Sequence, residues 1–219
     1  MIVSISQPAY LPWLGYFDRI RSSQLHVILD HVQLEKRSFT SRNKILTANG
    51  PLWLSVPVRT KGLYQRGTID IIEIENDSDW RSNHWKNIKQ AYGKTPYFKE
   101  ISPRIEAIYL QEWTLLNELC QQSTAIFLEL LGIDTEIKRS LELKSRTTKD
   151  ALILDLSKEC SATTYISGPF GRDYLKKEAF DQYNIDVLFH DYQHPKYNQT
   201  QIRGSSPDFF EPYMCILDL

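Results

Sequence analysis

Short apolar runs and amphipathic stretches alternate along the first part of the chain. Apolar side chains at positions 2–5 predict a buried strand, and the apolar run at 25–29 predicts a second one. Between them, Pro12 suits the first position of a helix because its missing N–H group is not needed there, and apolar residues follow it at helical spacing. The order strand, loop, helix, strand predicts the opening of an α/β fold with a parallel sheet.

The pattern changes in the second quarter of the chain, where hairpin signals replace the α/β alternation. Two apolar stretches at 44–46 and 52–58 flank an Asn-Gly pair at 49–50, which is typical of a tight hairpin turn. Weak alternation at 68–74 predicts one more strand. We therefore expect a β-rich insertion over about 36–75.

Helical spacing dominates the region that follows. The pattern predicts a helix over 80–92 that ends at Gly93, and a longer helical stretch over 103–131 with a break near Gln111. Together they form a predicted helical segment at about 80–131.

The last third of the chain returns to the α/β alternation. The pattern predicts strands at 133–137, 163–167 and 187–190 and helices at 148–160 and 173–183. The predicted fold class is therefore α/β, with a mostly parallel, Rossmann-like sheet, the β-rich insertion and the helical segment. We expect all 219 residues to form one α/β domain.

Composition and charge narrow the class of protein. Lys and Arg total 26 and Asp and Glu total 27, so the net charge of −1 gives no indication of a nucleic-acid partner. Three widely spaced cysteines without a CxxC pair predict neither a disulfide framework nor a zinc site. The chain starts without a signal-peptide pattern, and no apolar run approaches the ~20 residues that span a bilayer. These features favour a soluble, cytoplasmic protein.

Three loops directly follow predicted strands, at 6–12, 30–36 and 168–172. Ligands of open α/β sheets bind beyond the carboxyl ends of the strands. If the sheet is parallel, we expect these three loops to converge on one edge.

The stretch 36–69 contains no acidic residue. Its basic residues are Lys36, Arg37, Arg42, Lys44, Arg59, Lys61 and Arg66. Arginine offers paired planar donors and lysine a compact charge, so the stretch suits an anionic ligand such as phosphate, pyrophosphate or carboxylate. A solvated basic face that pairs with acidic residues elsewhere explains the pattern equally well. The segment SRNKI favours Arg42 and Asn43 as ligand contacts.

Two histidines lie at the end of the last predicted strand and just after it. His190 and His194 lie in FHDYQHPKY, where a neighbouring carboxylate such as Asp191 could turn a histidine into a general base near neutral pH. No third metal ligand is evident, so the spacing favours hydrogen bonding over a metal site.

His26 lies within a strand pattern and is interpreted as structural. The glycine-containing SGPFGRDY is either an anion-binding turn or a plain turn.

Several segments of the chain resemble the WbqC-like family. In chain order they are QPAYLPWLGYF, LDHVQLEKRSFTSRNKI, AYGKTPYF, YISGPFGRDYL and YQHPKYNQ. The resemblance continues to ILDL at the end and so covers essentially the whole chain. It implies a biosynthetic protein of bacterial surface polysaccharides, including O-antigen, but no particular reaction.

The resemblance also implies candidate site residues, most of which lie on the three loops. The implied substrate-binding residues are Gln7, Tyr10, Gln33, Lys36, Arg42, Asn43, Tyr92, Ser167, Gly168, Tyr174 and Tyr197. Asp30 and His194 also recur in the resemblance, and they are the candidate catalytic residues, since either could be the general base of a transferase.

Three functions are consistent with these residues. In the first, the protein is a transferase that modifies a nucleotide-linked (amino) sugar, for example by acyl or aminoacyl transfer. Lys36, Arg42 and Asn43 would hold its anionic group. In the second, it is a non-catalytic binding or scaffold protein of the same pathway. In the third, it is a nucleotidyltransferase, although no acidic pair for magnesium is evident. The sequence identifies no cofactor and no oligomeric state.

Overall fold

A computed structural model gives the fold of residues 1–60, 67–199, 203–204, 206 and 208–219. Lys61 and Arg66 of the basic stretch lie outside these described residues. The strands are β1 (Ile2–Ser6), β2 (Leu25–Ile28), β3 (Arg42–Thr47), β4 (Gly50–Ser55), β5 (Glu136–Arg139), β6 (Thr164–Ser167) and β7 (Asp186–Phe189). The α-helices are α1 (Leu14–Arg21), α2 (Trp80–Tyr92), α3 (Phe98–Leu110), α4 (Leu116–Leu130), α5 (Lys149–Glu159) and α6 (Lys177–Asp181).

The predicted parallel sheet is confirmed. It has five strands in the order β5-β2-β1-β6-β7, and every neighbouring pair is parallel. The first strand lies in the centre, the next two strands of this sheet lie on one side and the last two on the other. This is the order of the first five strands of a doubly wound dinucleotide-binding fold. The fold class is therefore α/β and Rossmann-like, with a separate two-stranded antiparallel sheet, β3-β4.

The helix between β1 and β2 begins later than the sequence predicts. It starts at Leu14 rather than at Pro12. Pro12 and Trp13 are extended because the Pro12 carbonyl accepts a hydrogen bond from Ile216, and Trp13 forms a β-bridge with Cys215. These contacts with residues near the end of the sequence keep Pro12 and Trp13 extended, so the helix begins after them although the local sequence favours a start at Pro12.

The predicted hairpin is confirmed, and its two-residue turn lies at 48–49, one residue earlier than the Asn-Gly pair suggests. Gly50 pairs with Thr47 and has a φ of 103°, a left-handed conformation that glycine adopts without strain.

The prediction of a strand at 68–74 is wrong. Ile69–Ile71 forms a 3₁₀ turn, and this segment makes only isolated bridges. The apolar residues explain the difference. Ile69 and Ile72 are both buried, whereas Ile71 is 47% exposed. A spacing of three residues matches the 3₁₀ period rather than the alternation of a strand.

The helical segment agrees with the prediction in α2 and in the break at Gln111, which separates α3 from α4. Its second helix begins earlier than predicted, at Phe98, and Pro103 lies inside it. Proline removes one hydrogen bond there. Burial of Ile105 and Ile108 on one face of α3 offsets this loss.

The predicted helix at 173–183 is wrong in extent. Pro169–Asp173 forms a 3₁₀ turn, and α6 covers only five residues. The strands on either side were predicted within one residue, whereas β5 begins three residues later than the predicted strand at 133–137.

The chain forms two compact units. The sheet unit contains the parallel sheet and consists of Met1–Pro8, Gly15–His31 and Gly132–Gln193. The hairpin unit contains the antiparallel hairpin and the long helices and consists of Ala9–Leu14, Val32–Leu131 and His194–Leu219. None of the helices in the described part of the chain combines the length and apolar character needed to cross a membrane.

A buried histidine links the first two strands of the sheet unit. His26 on β2 is completely buried, and its two ring nitrogens contact Ser4 Oγ at 2.7 Å and Ser6 Oγ at 3.1 Å on β1. Burial, assisted by the positive charge of Arg19, lowers the pKa of His26 to about 3. The interpretation of His26 as a structural residue therefore agrees with its hydrogen bonds.

We predict that this histidine makes the fold sensitive to acid. The folded pKa lies below the ordinary value of 6.5, so the unfolded chain binds the proton first as the pH falls. The free energy of unfolding should therefore decrease from about pH 6.5 toward pH 3, by up to roughly 1.4 kcal/mol per pH unit for one histidine. Denaturant titrations of the wild type and His26→Gln at several pH values measure this slope.

The variant should show a shallower decrease, with a remainder from His84, whose pKa burial lowers to about 4. Equal slopes in the wild type and His26→Gln would contradict the prediction.

Candidate functional site

The carboxyl edge of the parallel sheet collects four polar residues and a glycine, one from each strand of the sheet unit. Each of them lies within two residues after the end of its strand: Gln7 after β1, Asp30 after β2, Ser140 after β5, Gly168 after β6 and His190 after β7. The beginnings of the three predicted loops thus lie on neighbouring strands, in the order β2, β1, β6. These loops therefore start at one edge of the sheet, and their convergence into one site stays a prediction.

The connection after β1 leads to one side of the sheet and the connection after β6 leads to the other. The gap between β1 and β6 is therefore the topological switch point of the sheet, called the switch below. Gln7 is partly exposed there, and its side chain makes no hydrogen bond to the described residues. Ser167 is buried and donates from Oγ to the Gly168 carbonyl at 3.1 Å. A side chain at Gly171 would collide with this hydroxyl, so glycine leaves the room that Ser167 occupies. Tyr174 lies just beyond the turn and is 52% exposed.

A carboxylate and a histidine meet at the neighbouring strand end. His190 Nε2 lies 2.8 Å from Asp18 Oδ2, and the His190 amide donates to the Ser167 carbonyl at 2.8 Å. Asp18 lies on α1, whereas His190 directly follows β7. The His190 ring is 11% exposed and also stacks on Tyr192. The second ring nitrogen, Nδ1, has no hydrogen-bond partner among the described residues.

The environment of Asp18 keeps it ionised. Burial opposes the charge, but hydrogen bonds from Arg21 and His190 outweigh burial and lower the pKa of Asp18. An ionised Asp18 accepts the Nε2–H of His190 and leaves Nδ1 as the basic nitrogen. A histidine held by a carboxylate in this way can accept a proton from a substrate.

The predicted catalytic residue Asp30 is completely buried. Its carboxylate accepts hydrogen bonds from Arg139 Nε at 2.7 Å, Ser140 Oγ at 2.9 Å and the Leu141 amide at 3.3 Å. Ser140 Oγ gives its proton to Asp30, so His31 Nδ1 donates to that hydroxyl at 2.6 Å. These contacts join the ends of β2 and β5 and favour a structural role for Asp30. Its catalytic role stays a prediction.

Tyr10, a predicted binding residue, belongs to the core of the hairpin unit. Its side chain is fully buried, and its hydroxyl contacts His84 Nδ1 at 2.9 Å and the Tyr109 hydroxyl at 2.7 Å. Burial raises the pKa of Tyr10 well above its usual value. The contacts favour a role in packing α2 and α3.

Two other predicted binding residues hold a buried carboxylate near the end of the chain. Tyr92 donates to Asp218 Oδ1 at 3.0 Å, and Tyr197 donates to Asp218 Oδ2 at 3.0 Å, next to Gln199. Burial raises the pKa of Asp218, although these three donors oppose the rise. Tyr92 Oη also accepts from the Leu46 amide at 2.9 Å. The ILDL motif is thereby anchored to β3 and α2.

The predicted catalytic His194 lies in an aromatic cluster of the hairpin unit. Its Nδ1 donates to the Pro195 carbonyl at 2.9 Å, and its Nε2 accepts from the Tyr213 amide at 3.3 Å. The ring stacks on Trp13 with an interplanar angle of 9°. Both ring nitrogens therefore serve the main chain, in contrast to His190.

The basic insertion forms a pocket of about 450 Å³ in the hairpin unit. Its lining includes the predicted binding residues Gln33 and Lys36, together with Arg37 and Ser41. The structure brings these two predicted residues to one cavity.

Arg42 and Asn43 do not line that pocket. Arg42 lies over the Trp53 ring at 4.2 Å and donates from Nε to the Arg37 carbonyl. Asn43 is buried and donates to the Leu11 carbonyl at 2.6 Å, which supports the left-handed Leu11 with a φ of 44°. The geometry favours a structural role for Asn43.

The candidate site contains residues that the sequence did not indicate. Asp18 and Arg19 have no motif around them, and Asp18 is 172 positions away from its partner His190. The sequence offered one signal for this pair, the position of His190 at the end of a predicted strand.

Comparison with known proteins gives one family and one relative. The model of the WbqC-like protein family matches residues 7–219. The chain is 33% identical over 218 residues to the Uncharacterized protein Rv1507c of Mycobacterium tuberculosis, with 99% of this chain and 91% of the relative covered. No solved structure matches the chain significantly.

We predict that Tyr92 contributes chiefly to stability. The change Tyr92→Phe removes a donor to the buried Asp218 and leaves the buried Leu46 amide without its acceptor. The free energy of unfolding should fall by about 1–3 kcal/mol in denaturant titrations. The matched control is Tyr97→Phe, because the Tyr97 side chain is 72% exposed and should tolerate the change. A Tyr92→Phe protein as stable as the control would favour the alternative role in substrate binding.

Proposed function

Because the chain belongs to the WbqC-like protein family, we propose that it is a transferase of bacterial surface-polysaccharide (O-antigen) synthesis that modifies a nucleotide-linked sugar. The observation that carries the proposal is the Asp18–His190 pair at the carboxyl edge of a Rossmann-like sheet. This edge is where sheets of this order bind nucleotides. The switch beside it offers the Gly168 main chain and the Gln7 side-chain amide, which makes no hydrogen bond to the described residues, for substrate contacts.

The pair suits acyl or aminoacyl transfer to an amino sugar. His190 Nδ1 takes the proton from the acceptor amine or hydroxyl as that atom forms a bond to the acyl carbon. The bond between the acyl carbon and the leaving group then breaks, and the protonated histidine returns the proton to the leaving group. Asp18 holds the ring orientation and stabilises the imidazolium through Nε2–H.

The substrate class is tested by thermal unfolding in the presence of UDP-, GDP- and dTDP-linked sugars. A ligand that binds the folded protein at a concentration well above its Kd raises the melting temperature. We expect at least one of these nucleotide sugars to raise it. The absence of a rise with the whole panel at millimolar concentrations would contradict the proposal.

We predict that His190→Gln lowers kcat by about 10²–10⁴-fold while the nucleotide sugar still binds. The reason is that glutamine retains polarity but cannot carry the proton. The discriminating variant is His194→Gln, since the ring nitrogens of His194 bind the main chain and its loss should reduce stability more than turnover. Steady-state kinetics and melting temperatures of both variants separate the two roles. A large loss of kcat in His194→Gln alone would assign the base to His194.

A second candidate function is supported by the surface of the hairpin. Phe39 and Trp53 are 50% and 43% exposed, their rings lie 5.9 Å apart, and Arg42 covers Trp53. Exposed aromatic and arginine side chains are typical of protein-binding surfaces. The protein could thus be a non-catalytic scaffold that binds an enzyme of the same pathway. Full pathway activity in His190→Gln, together with its loss in Trp53→Ala, would favour this function over catalysis.

A further inference from the structure

Arg19 on α1 is a cation without a counter-ion in the part of the chain that the structure describes. It makes no ion pair or hydrogen bond with these residues, and its Nε is buried without a partner. The neighbouring carboxylate of Asp18 is already engaged by Arg21 and His190. A buried donor that makes no hydrogen bond is costly, so this guanidinium is suited to gaining a ligand.

The guanidinium lies against the strand end at the switch of the sheet. A Cβ atom at Gly168 would collide with Arg19 Nη1. The φ of Gly168 is −64°, which any residue adopts, so backbone conformation does not require glycine at this position. Residue 168 is therefore a glycine because the Arg19 side chain occupies the space that a larger residue would need beside β6.

The groups whose pKa values the Arg19 charge influences are not anions at neutral pH. The positive charge adds to the effect of burial in lowering the pKa of His26, and it opposes the rise that burial causes in the pKa values of Tyr165 and Tyr174. Arg19 itself is partly accessible, so a ligand can reach it from solvent. A partly accessible guanidinium that makes no ion pair or hydrogen bond with the described residues is suited to binding an anion.

We propose that Arg19 binds a phosphoryl group of the substrate at the carboxyl end of β6. The inference rests on the proposed function for the substrate class, and it adds the residue that holds the anionic part. The planar guanidinium donates two parallel hydrogen bonds to phosphoryl oxygens, and Gly168 leaves the space in which that fork lies. Asp18 and Arg19 are consecutive residues of α1. Asp18 orients the base His190, and Arg19 binds the anionic group of the substrate.

The first test measures binding of inorganic pyrophosphate and of UDP by calorimetry. Arg19→Gln should weaken binding by about 10-fold or more, because a charge-assisted hydrogen-bonded contact is lost. The affinity of Arg19→Lys should lie between those of the wild type and Arg19→Gln, since lysine keeps the charge but not the planar pair of donors. Arg104→Gln is the matched control. It removes the same charge from an exposed ion pair with Glu129 in the hairpin unit and should bind like the wild type.

The melting temperature without ligand separates a binding role from a structural one. Arg19→Gln should melt at or above the wild-type temperature, since it removes a guanidinium that makes no ion pair or hydrogen bond with the described residues and whose Nε is buried. The rise produced by pyrophosphate in the wild type should disappear. A lower melting temperature with unchanged pyrophosphate affinity would overturn the proposal.

The second test uses Gly168→Ala. The added Cβ displaces Arg19 Nη1 without straining the backbone, so the variant should fold and lose pyrophosphate affinity about as much as Arg19→Gln. The double variant should show no further loss, because both changes remove the same contact. Additive losses, or full affinity in Gly168→Ala, would overturn the assignment.

The outcomes for Arg19 and for the proposed function are distinguishable. Pyrophosphate binding that depends on Arg19, in a protein that turns over no nucleotide sugar, would support the anion site and contradict the transferase. Turnover of a nucleotide sugar with the same KM in the wild type and Arg19→Gln would support the transferase and contradict the anion site. A wild-type protein that binds neither pyrophosphate nor UDP would overturn this inference.

Discussion

The central position of β1 is the constraint on which the sheet unit depends. Its main chain pairs in parallel with β2 on one side and β6 on the other, so that Val3 lies opposite both Leu25 and Tyr165. Parallel neighbours need a crossover that returns the chain to the starting end of the sheet. All carboxyl ends therefore lie at one edge, and the connections that leave β1 and β6 run in opposite directions, to β2 and to β7. That divergence leaves the strand ends at β1 and β6 open for a ligand.

Apolar patterning predicts this part of the fold because its signal is local. The strands of a parallel sheet are buried on both faces, so short, largely apolar runs such as 2–5 identify them without any knowledge of their partners. Apolar patterning fails where the spacing of the apolar residues fits more than one type of secondary structure. The isoleucines at 69 and 72 have a three-residue spacing and those at 72 and 74 alternate, so this short segment fits both patterns and packing decides between them. The start of α1 was not predictable, because Ile216 binds the Pro12 carbonyl from the opposite end of the chain.

The candidate site was predictable only where a polar residue directly follows a strand. Gln7, Gly168 and His190 have such positions, and the strand pattern places them at the edge. Asp18 and Arg19 do not, because the direction of a helical side chain depends on how the helix crosses the sheet, which is tertiary information. His190 and His194 share a local sequence context. They differ in their hydrogen-bond partners, a carboxylate in one case and main-chain groups in the other.

The charges on α1 explain how one short helix can supply two opposite groups. Consecutive helical residues point about 100° apart, and Asp18 and Arg19 reach the neighbouring strand ends of β7 and β6. Adjacent opposite charges would ordinarily neutralise each other. Here Arg21, one turn farther along the helix, and His190 share Asp18 between them, so the Arg19 guanidinium keeps its charge available. The carboxylate that orients a base and the cation that can bind an anion thus remain chemically separate, although they are neighbours in sequence.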